Sequence, residues 1–184
     1  MNLRAPAFIV GVWCLGINFY IVSMKENKFE FKYEVYDDIS QLTEQDAWLL
    51  TEARTVTDQA YAPYSNFHVG AIAMMENGEV VAGTNQENAS YPVGICAERV
   101  LLGSVATIHP NVPVNSIAIS YNSDEVKSDH PIFPCGMCRQ ALLEYETRIK
   151  KPIRLIMGGM EGKVFIIKTA SLLLPFAFTS DELI

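Results

Sequence analysis

Basic residues are scarce in this chain. Lysine and arginine number 14 against 21 aspartates and glutamates, and the formal net charge is −7. Such a balance repels a phosphate backbone, which disfavours a nucleic-acid binder and leaves a small neutral substrate in favour. Cysteine is also sparse, at four residues. A disulfide scaffold needs more of them in a shorter chain. The only histidines are His68, His109 and His130, and none forms a paired motif with a cysteine. Past Met24 there is no internal repeat, linker or low-complexity tract. With 184 residues, 49% apolar and 19% charged, the composition is that of one globular domain with a sizeable core.

Charge is missing altogether between Ala5 and Met24, where Phe8, Ile9, Val10, Val12, Trp13, Leu15, Ile17, Phe19, Ile21 and Val22 make a long apolar run. Its length suits a membrane-spanning helix. A secretory signal is a second reading, although no clear small-x-small cleavage site follows. The third and preferred reading makes residues 1–23 a dispensable extension, upstream of a working start at Met24, with residues 24–184 as one catalytic domain. Cys14 sits in the apolar run as a small hydrophobe.

After Met24 the periodicity alternates between helix and strand. Thr43-Glu44-Gln45-Asp46 reads as a helix start, and Leu49, Ala53, Val56 and Ala60 recur at helical spacing, predicting a helix over 44–61. Val69–Met75 and Val80–Thr84 flank Glu76-Asn77-Gly78, a hairpin signal in which Asn-Gly supplies positive φ angles. A loop over 85–95 precedes a helix over 97–107. A strand follows at 114–120, then a polar loop, a helix over 138–148, strands at 153–157 and 164–168, and a short closing helix at 169–174. Strands interleaved with helices predict an α/β fold, a three-layer α/β/α sandwich around a mixed sheet of about five strands.

The remaining three cysteines fall in Cys96-Ala97-Glu98 and Pro134-Cys135-Gly136-Met137-Cys138. Three thiolates hold a zinc ion and leave its fourth position open, the mark of a catalytic site. Cys96 precedes one predicted helix, while Cys135 and Cys138 open another, and the positive potential of helix starts favours thiolate over thiol. Cys135-x-x-Cys138 alone also fits half of a structural zinc site or a redox pair. Neither of those readings uses Cys96 together with Glu98. A carboxylate two residues from a ligand can move protons for a water activated on zinc, and burial raises its pKa toward that task. Three thiolates weaken the metal as a Lewis acid, and Arg99, next in sequence, is the candidate to hydrogen-bond the sulfurs and offset this. Thiolate ligands must stay reduced, which points to the cytoplasm. A binding or redox module without turnover is the reading from a different class. The ligand spacing is that of the zinc nucleobase deaminases.

Four longer stretches carry a family resemblance. They are Ala62-Pro63-Tyr64-Ser65-Asn66-Phe67-His68-Val69-Gly70-Ala71, Asn85-Gln86-Glu87-Asn88-Ala89-Ser90-Tyr91-Pro92, Cys96-Ala97-Glu98-Arg99 and Pro134-Cys135-Gly136-Met137-Cys138-Arg139-Gln140. With Leu173-Leu174-Pro175 and Phe178 as a closing segment, the chain resembles the tetrameric-type cytidine deaminases over about residues 40–183. The resemblance implies zinc on Cys96, Cys135 and Cys138, and Glu98 as proton shuttle. It implies that the backbone of Ala97 holds the pyrimidine carbonyl, that Phe67 packs on the base, and that Asn85 and Glu87 bind the sugar hydroxyls. Tyr91 and Phe178 would complete a neighbouring subunit's site in a homotetramer. The substrate would be a free pyrimidine nucleoside, cytidine or deoxycytidine, with no nucleic acid bound, and no membrane contact unless residues 5–24 are an anchor. An aminonucleoside antibiotic is the alternative substrate. One departure stands out: Phe133 occupies the position before Pro-Cys where a small hydroxyl residue is expected.

Overall fold

Alternation along the central strands divides the core into two layers. In β4 (Val114–Ser123), Ile117 and Ile119 face one side and Ala118 the other. In β2 (Phe67–Met75), Ala71, Ala73 and Met75 share the first side and Ile72 the second. In β5 (Arg154–Gly158), Leu155 and Met157 oppose Ile156 in the same way. Strands buried on both faces need helices on both faces. Helices α2 (Ala97–Ile108) and α3 (Gly136–Ile149) cover the first side, and α1 (Glu44–Thr55) covers the second. The fold is therefore the expected three-layer α/β/α sandwich.

The computed structural model describes residues 25–183. The apolar run over 5–24, Cys14 and the Met24 start lie outside the described residues. The chain divides into two units, Met1–Glu30 and Phe31–Ile184. In the first, residues 25–30 are exposed and irregular, with an ion pair between Lys28 and Glu30.

The second unit carries a six-stranded sheet in the order β1-β6-β5-β4-β2-β3. Here β1 is Glu34–Tyr36, β3 is Val80–Thr84 and β6 is Val164–Ile167. Only the β4–β5 pair is parallel, and α3 makes its crossover. The sixth strand, β1, escaped the sequence reading because three residues are too few to show alternation. It pairs with β6 at the sheet edge, Val35 opposite Phe165.

Two local expectations need correcting. Helix α1 begins at Thr43, whose hydroxyl accepts from the Asp46 N–H at 3.2 Å, but it ends at Thr55 rather than near residue 61. Thr55-Val56-Thr57 is β-branched and disfavours helix. The Thr57 hydroxyl also donates to the Arg54 carbonyl at 2.6 Å, and the chain tightens into a 3-10 turn over Val56–Gln59. In the β2–β3 hairpin only Gly78 takes a positive φ, at 85°. Asn77 instead accepts the Glu79 N–H on its side-chain oxygen. The connection thus fits a three-residue hairpin loop better than a two-residue one.

One ion pair ties α1 to the sheet. Arg154 at the start of β5 grips the Asp46 carboxylate through both nitrogens, at 2.5 and 2.8 Å. Burial alone would raise the Asp46 carboxyl, but the Arg154 fork overrides it and holds the group below the ordinary value of 3.8. The pair's contribution is therefore complete above pH 3.8 and is lost as the pH falls through the lowered folded value. Asp46→Ala should cost about 2–3 kcal/mol at pH 7, since it leaves the guanidinium without its partner. Urea midpoints of variant and wild type should differ at pH 7 and converge toward acid pH. Equal midpoints at pH 7 would contradict this role.

Candidate active site

Both helices that carry the expected ligands begin on a cysteine. Cys96 is the N-cap of α2 and Cys135 the N-cap of α3, and neither side chain caps its own helix. Sulfur is a weak acceptor, so both thiols stay free to face each other while the first N–H groups of each helix keep their positive potential. Cys138 lies in the first turn of α3 and is fully buried. The Cys96 and Cys135 sulfurs are 3.8 Å apart, those of Cys135 and Cys138 3.5 Å, and all three lie within 4.8 Å of one another.

That spacing is a test of fit. Zn–S bonds of about 2.3 Å in a tetrahedron set neighbouring sulfurs about 3.8 Å apart. A disulfide would need about 2.05 Å, and all three cysteines are free thiols. Among the described residues no fourth metal-ligating side chain joins the group. His130 is engaged elsewhere, with Tyr121 and Asp129. The residues present therefore fit a zinc ion with three protein ligands.

One thiol of the group is already poised to lose its proton. A hydrogen bond from Cys138, reinforced by one from Cys135, lowers the Cys96 thiol to about 6. Cys138 moves the opposite way, first because it shares its proton with Cys96 and then because it is buried. A cation held by Cys96, Cys135 and Cys138 would take the place of that shared proton. Glu98 stands on the same turn of α2 as Cys96, only 6% exposed, and burial raises its carboxyl.

A cavity of about 400 Å³ opens beside the sulfurs. Cys96, Ala97, Glu98 and Cys135 line it, together with Phe67, Asn85 and Glu87. The Phe67 ring is stacked on Tyr121 at 4.9 Å and 18°. Asn85 is partly committed: its side chain accepts the Val69 N–H at 2.7 Å and donates to the Phe67 carbonyl at 2.9 Å. Those bonds fix the start of β2 and leave one amide hydrogen and one lone pair to face the cavity. Glu87 accepts from the Ser65 hydroxyl and from the Tyr64 and Ser65 N–H groups. The Ser65 hydroxyl is the main reason its carboxyl sits below the usual range, so it meets a ligand as a carboxylate.

Three expected residues stand apart. Tyr91 is 77% exposed and packs edge-on against Tyr64, and Phe178 is 59% exposed. Neither lines the cavity of its own chain. Arg99 lies in a surface groove between α2 and α3, near Glu144 and Arg148. No hydrogen bond joins its guanidinium to a sulfur among the described residues, although its charge does lower the Cys96 thiol.

Other residues serve the site without having been expected to. Tyr121 backs Phe67, and its hydroxyl donates to the Lys127 carbonyl at 3.0 Å. Arg139 donates to the carbonyls of Pro134 and Leu173, so it ties the ligand loop to the closing segment. Its place directly after Cys138 was the available signal. Tyr121 gave no signal beyond strand alternation.

A family model described as "Cytidine and deoxycytidylate deaminase zinc-binding region" matches residues 43–154. Among curated proteins, the chain is 36% identical over 135 residues to a cytidine deaminase of Halalkalibacterium halodurans, covering 73% of this chain and 95% of that one. It is 39% identical over 127 residues to a cytidine deaminase of Mycobacterium tuberculosis, covering 67% and 82%. Among solved structures, a cytidine deaminase from Burkholderia pseudomallei is 37% identical with a TM-score of 0.63, over 74% of this chain and all of that one.

The start of α2 is held by a close approach. A Cβ on Gly83 of β3 would stand 2.5 Å from the Leu101 nitrogen and 2.6 Å from the Ala97 carbonyl oxygen. Gly83→Ala must therefore push the first turn of α2 off the sheet, carrying Cys96 and Glu98 with it. The variant should lose about 1–3 kcal/mol of stability and part of its zinc. Thermal melting and zinc analysis check this, and wild-type values for both would contradict it.

Proposed function

The chain belongs to the cytidine and deoxycytidylate deaminase family, and on that premise we propose that it hydrolyses the 4-amino group of cytidine and deoxycytidine, giving uridine or deoxyuridine and ammonia. It is a zinc-dependent hydrolase of the cytidine deaminase type. The observation that carries the reading is three thiols and a buried carboxylate bordering one cavity of nucleoside scale.

Cys96, Cys135 and Cys138 hold the zinc ion. When bound, zinc supplies a Lewis acid that makes water a nucleophile near neutral pH. Glu98 takes a proton from the attacking water and delivers it to ring N3, so the base accepts the nucleophile at C4. Glu98 then carries the second proton to the departing amine, and the C4–N bond breaks. A carboxyl raised by burial suits both directions of transfer. The N–H of Ala97, first residue of α2, is a helix-start donor without an intrahelical acceptor and receives the pyrimidine carbonyl. Phe67, held flat by Tyr121, supports the base. Asn85 and Glu87 receive the sugar hydroxyls, an arrangement favoured by the acceptor capacity that Glu87 keeps as an anion.

Tyr91 and Phe178 complete the site of a neighbouring subunit, and the working form is a homotetramer. Their exposure, and their absence from their own chain's cavity, support this part of the reading. The net charge of −7 supports a free nucleoside over a nucleic acid. Among the described residues no helix is long and apolar enough to cross a membrane. Free thiols in the ligand set favour the cytoplasm, and the reaction is compatible with a role in pyrimidine salvage. The catalytic unit is residues 24–184, with 1–23 dispensable; the family match lies inside those bounds.

Glu98→Gln separates the carboxylate from the metal. The variant should keep its zinc while cytidine deamination falls about 10²–10⁴-fold. Loss of cytidine absorbance, with a chelator control and zinc analysis on the same sample, reads both quantities. Activity near that of the wild type would remove Glu98 from the mechanism.

A further inference from the structure

The part of the cavity lining that leads into α3 is apolar where a hydroxyl was expected. Phe133, two residues before Cys135, lines it beside Ile132. Its ring has an aromatic neighbour that is not part of the cavity lining. It lies 5.7 Å from the ring of Phe165 on β6, and Phe165 lies 5.3 Å from Tyr33. Tyr33 directly precedes β1, the short edge strand paired to β6, so an aromatic row runs from the sheet edge to the cavity. Phe133 keeps 46% of its surface exposed, which leaves one face of a fixed ring for a ligand to meet.

The chemistry proposed above fixes how a base must lie against that ring. C4 stands at the thiol group, because that is where the amine leaves. N3 faces Glu98 on α2, which protonates it, and the C2 carbonyl follows toward Ala97. C4 has only two ring neighbours, N3 and C5. With N3 turned to α2, C5 is turned away from it, and the apolar lining supplied by the segment leading into α3 is Ile132 and Phe133.

We infer that Phe133 is a specificity-determining residue that reads the substituent at C5 and favours an apolar group there over a polar one. The substrate class so selected is the 5-methylcytosine nucleosides, ahead of their 5-hydroxymethyl counterparts. The inference rests on the roles given above to Glu98 and the three thiols. A methyl group at C5 gains apolar contact with the Phe133 ring, whereas a hydroxymethyl group loses water and finds no partner on it. A serine at 133 would remove the contact and supply the missing partner.

The test compares kcat/KM for cytidine, 5-methylcytidine and 5-hydroxymethylcytidine on the zinc-loaded full chain, as wild type, F133S and F133L. Each comparison is a ratio within one protein, so partial misfolding of a variant cancels. In F133S the 5-methylcytidine to cytidine ratio should fall by about fourfold, the effect of one buried methyl, and the hydroxymethyl to methyl ratio should rise. F133L, still apolar, should keep both ratios close to wild type. An unchanged methyl ratio in F133S overturns the inference, and so does a rise, which would mean that the ring blocks C5. A wild-type enzyme inactive on all three nucleosides overturns the deaminase reading together with it.

Discussion

Two helix starts carry positive potential of the same sign, and the fold forces the starts of α2 and α3 together at Cys96 and Cys135. Charge of opposite sign must sit between them. Three thiolates would provide it, and a divalent cation held by Cys96, Cys135 and Cys138 would keep them from repelling one another. Much of the surrounding structure can be understood as holding those two helix ends in place. At one end, β3 offers a glycine so that α2 can settle directly on the sheet. At the far end of α3, the buried Glu146 carboxylate accepts the N–H groups of Ile153, Ala170 and Ser171, which locks the helix to β5 and to the closing segment. The parallel β4–β5 pair makes α3 a crossover, so its N-terminus lies near the end of β4, beside Phe67 on β2.

The same constraint answers a chemical difficulty. Three thiolates around one dication leave net negative charge, which blunts a Lewis acid. A guanidinium bonded to a sulfur was one way to offset this, but Arg99 lies in the outer groove between the helices. Its charge still reaches Cys96 through space. The nearer compensation is structural: Cys96 and Cys135 each sit at a helix N-terminus, whose positive potential acts on the sulfurs. The helix starts that favour thiolates also temper their charge once the metal is held.

The group of three cysteines was legible in the sequence because its spacing is local. Cys96-x-Glu98 and Cys135-x-x-Cys138 each occupy one helical turn, and a turn is what a short motif encodes. The core was legible for the same kind of reason, since Ile117-Ala118-Ile119 alternates within a single strand. What could not be read depends on contacts between distant segments. Strand β1 exists because β6 offers it an edge, and nothing within its three residues announces it. Thr57 ended α1 early through one hydroxyl bond that helical periodicity does not register. Asn85 reads as a ligand contact from its family position, yet half of its hydrogen-bonding capacity goes to the backbone of β2. Tyr121 earns its role only by lying beneath Phe67 across a strand pair.

The central claim is that three cysteines at two helix starts hold one zinc ion and leave a position for water. X-ray absorption at the zinc edge, on the purified full chain, measures this directly. The account predicts three sulfur neighbours at about 2.3 Å and one lighter neighbour, an oxygen, at about 2.0 Å. Four sulfur neighbours, or a histidine nitrogen in the fourth position, would make the site structural and contradict it.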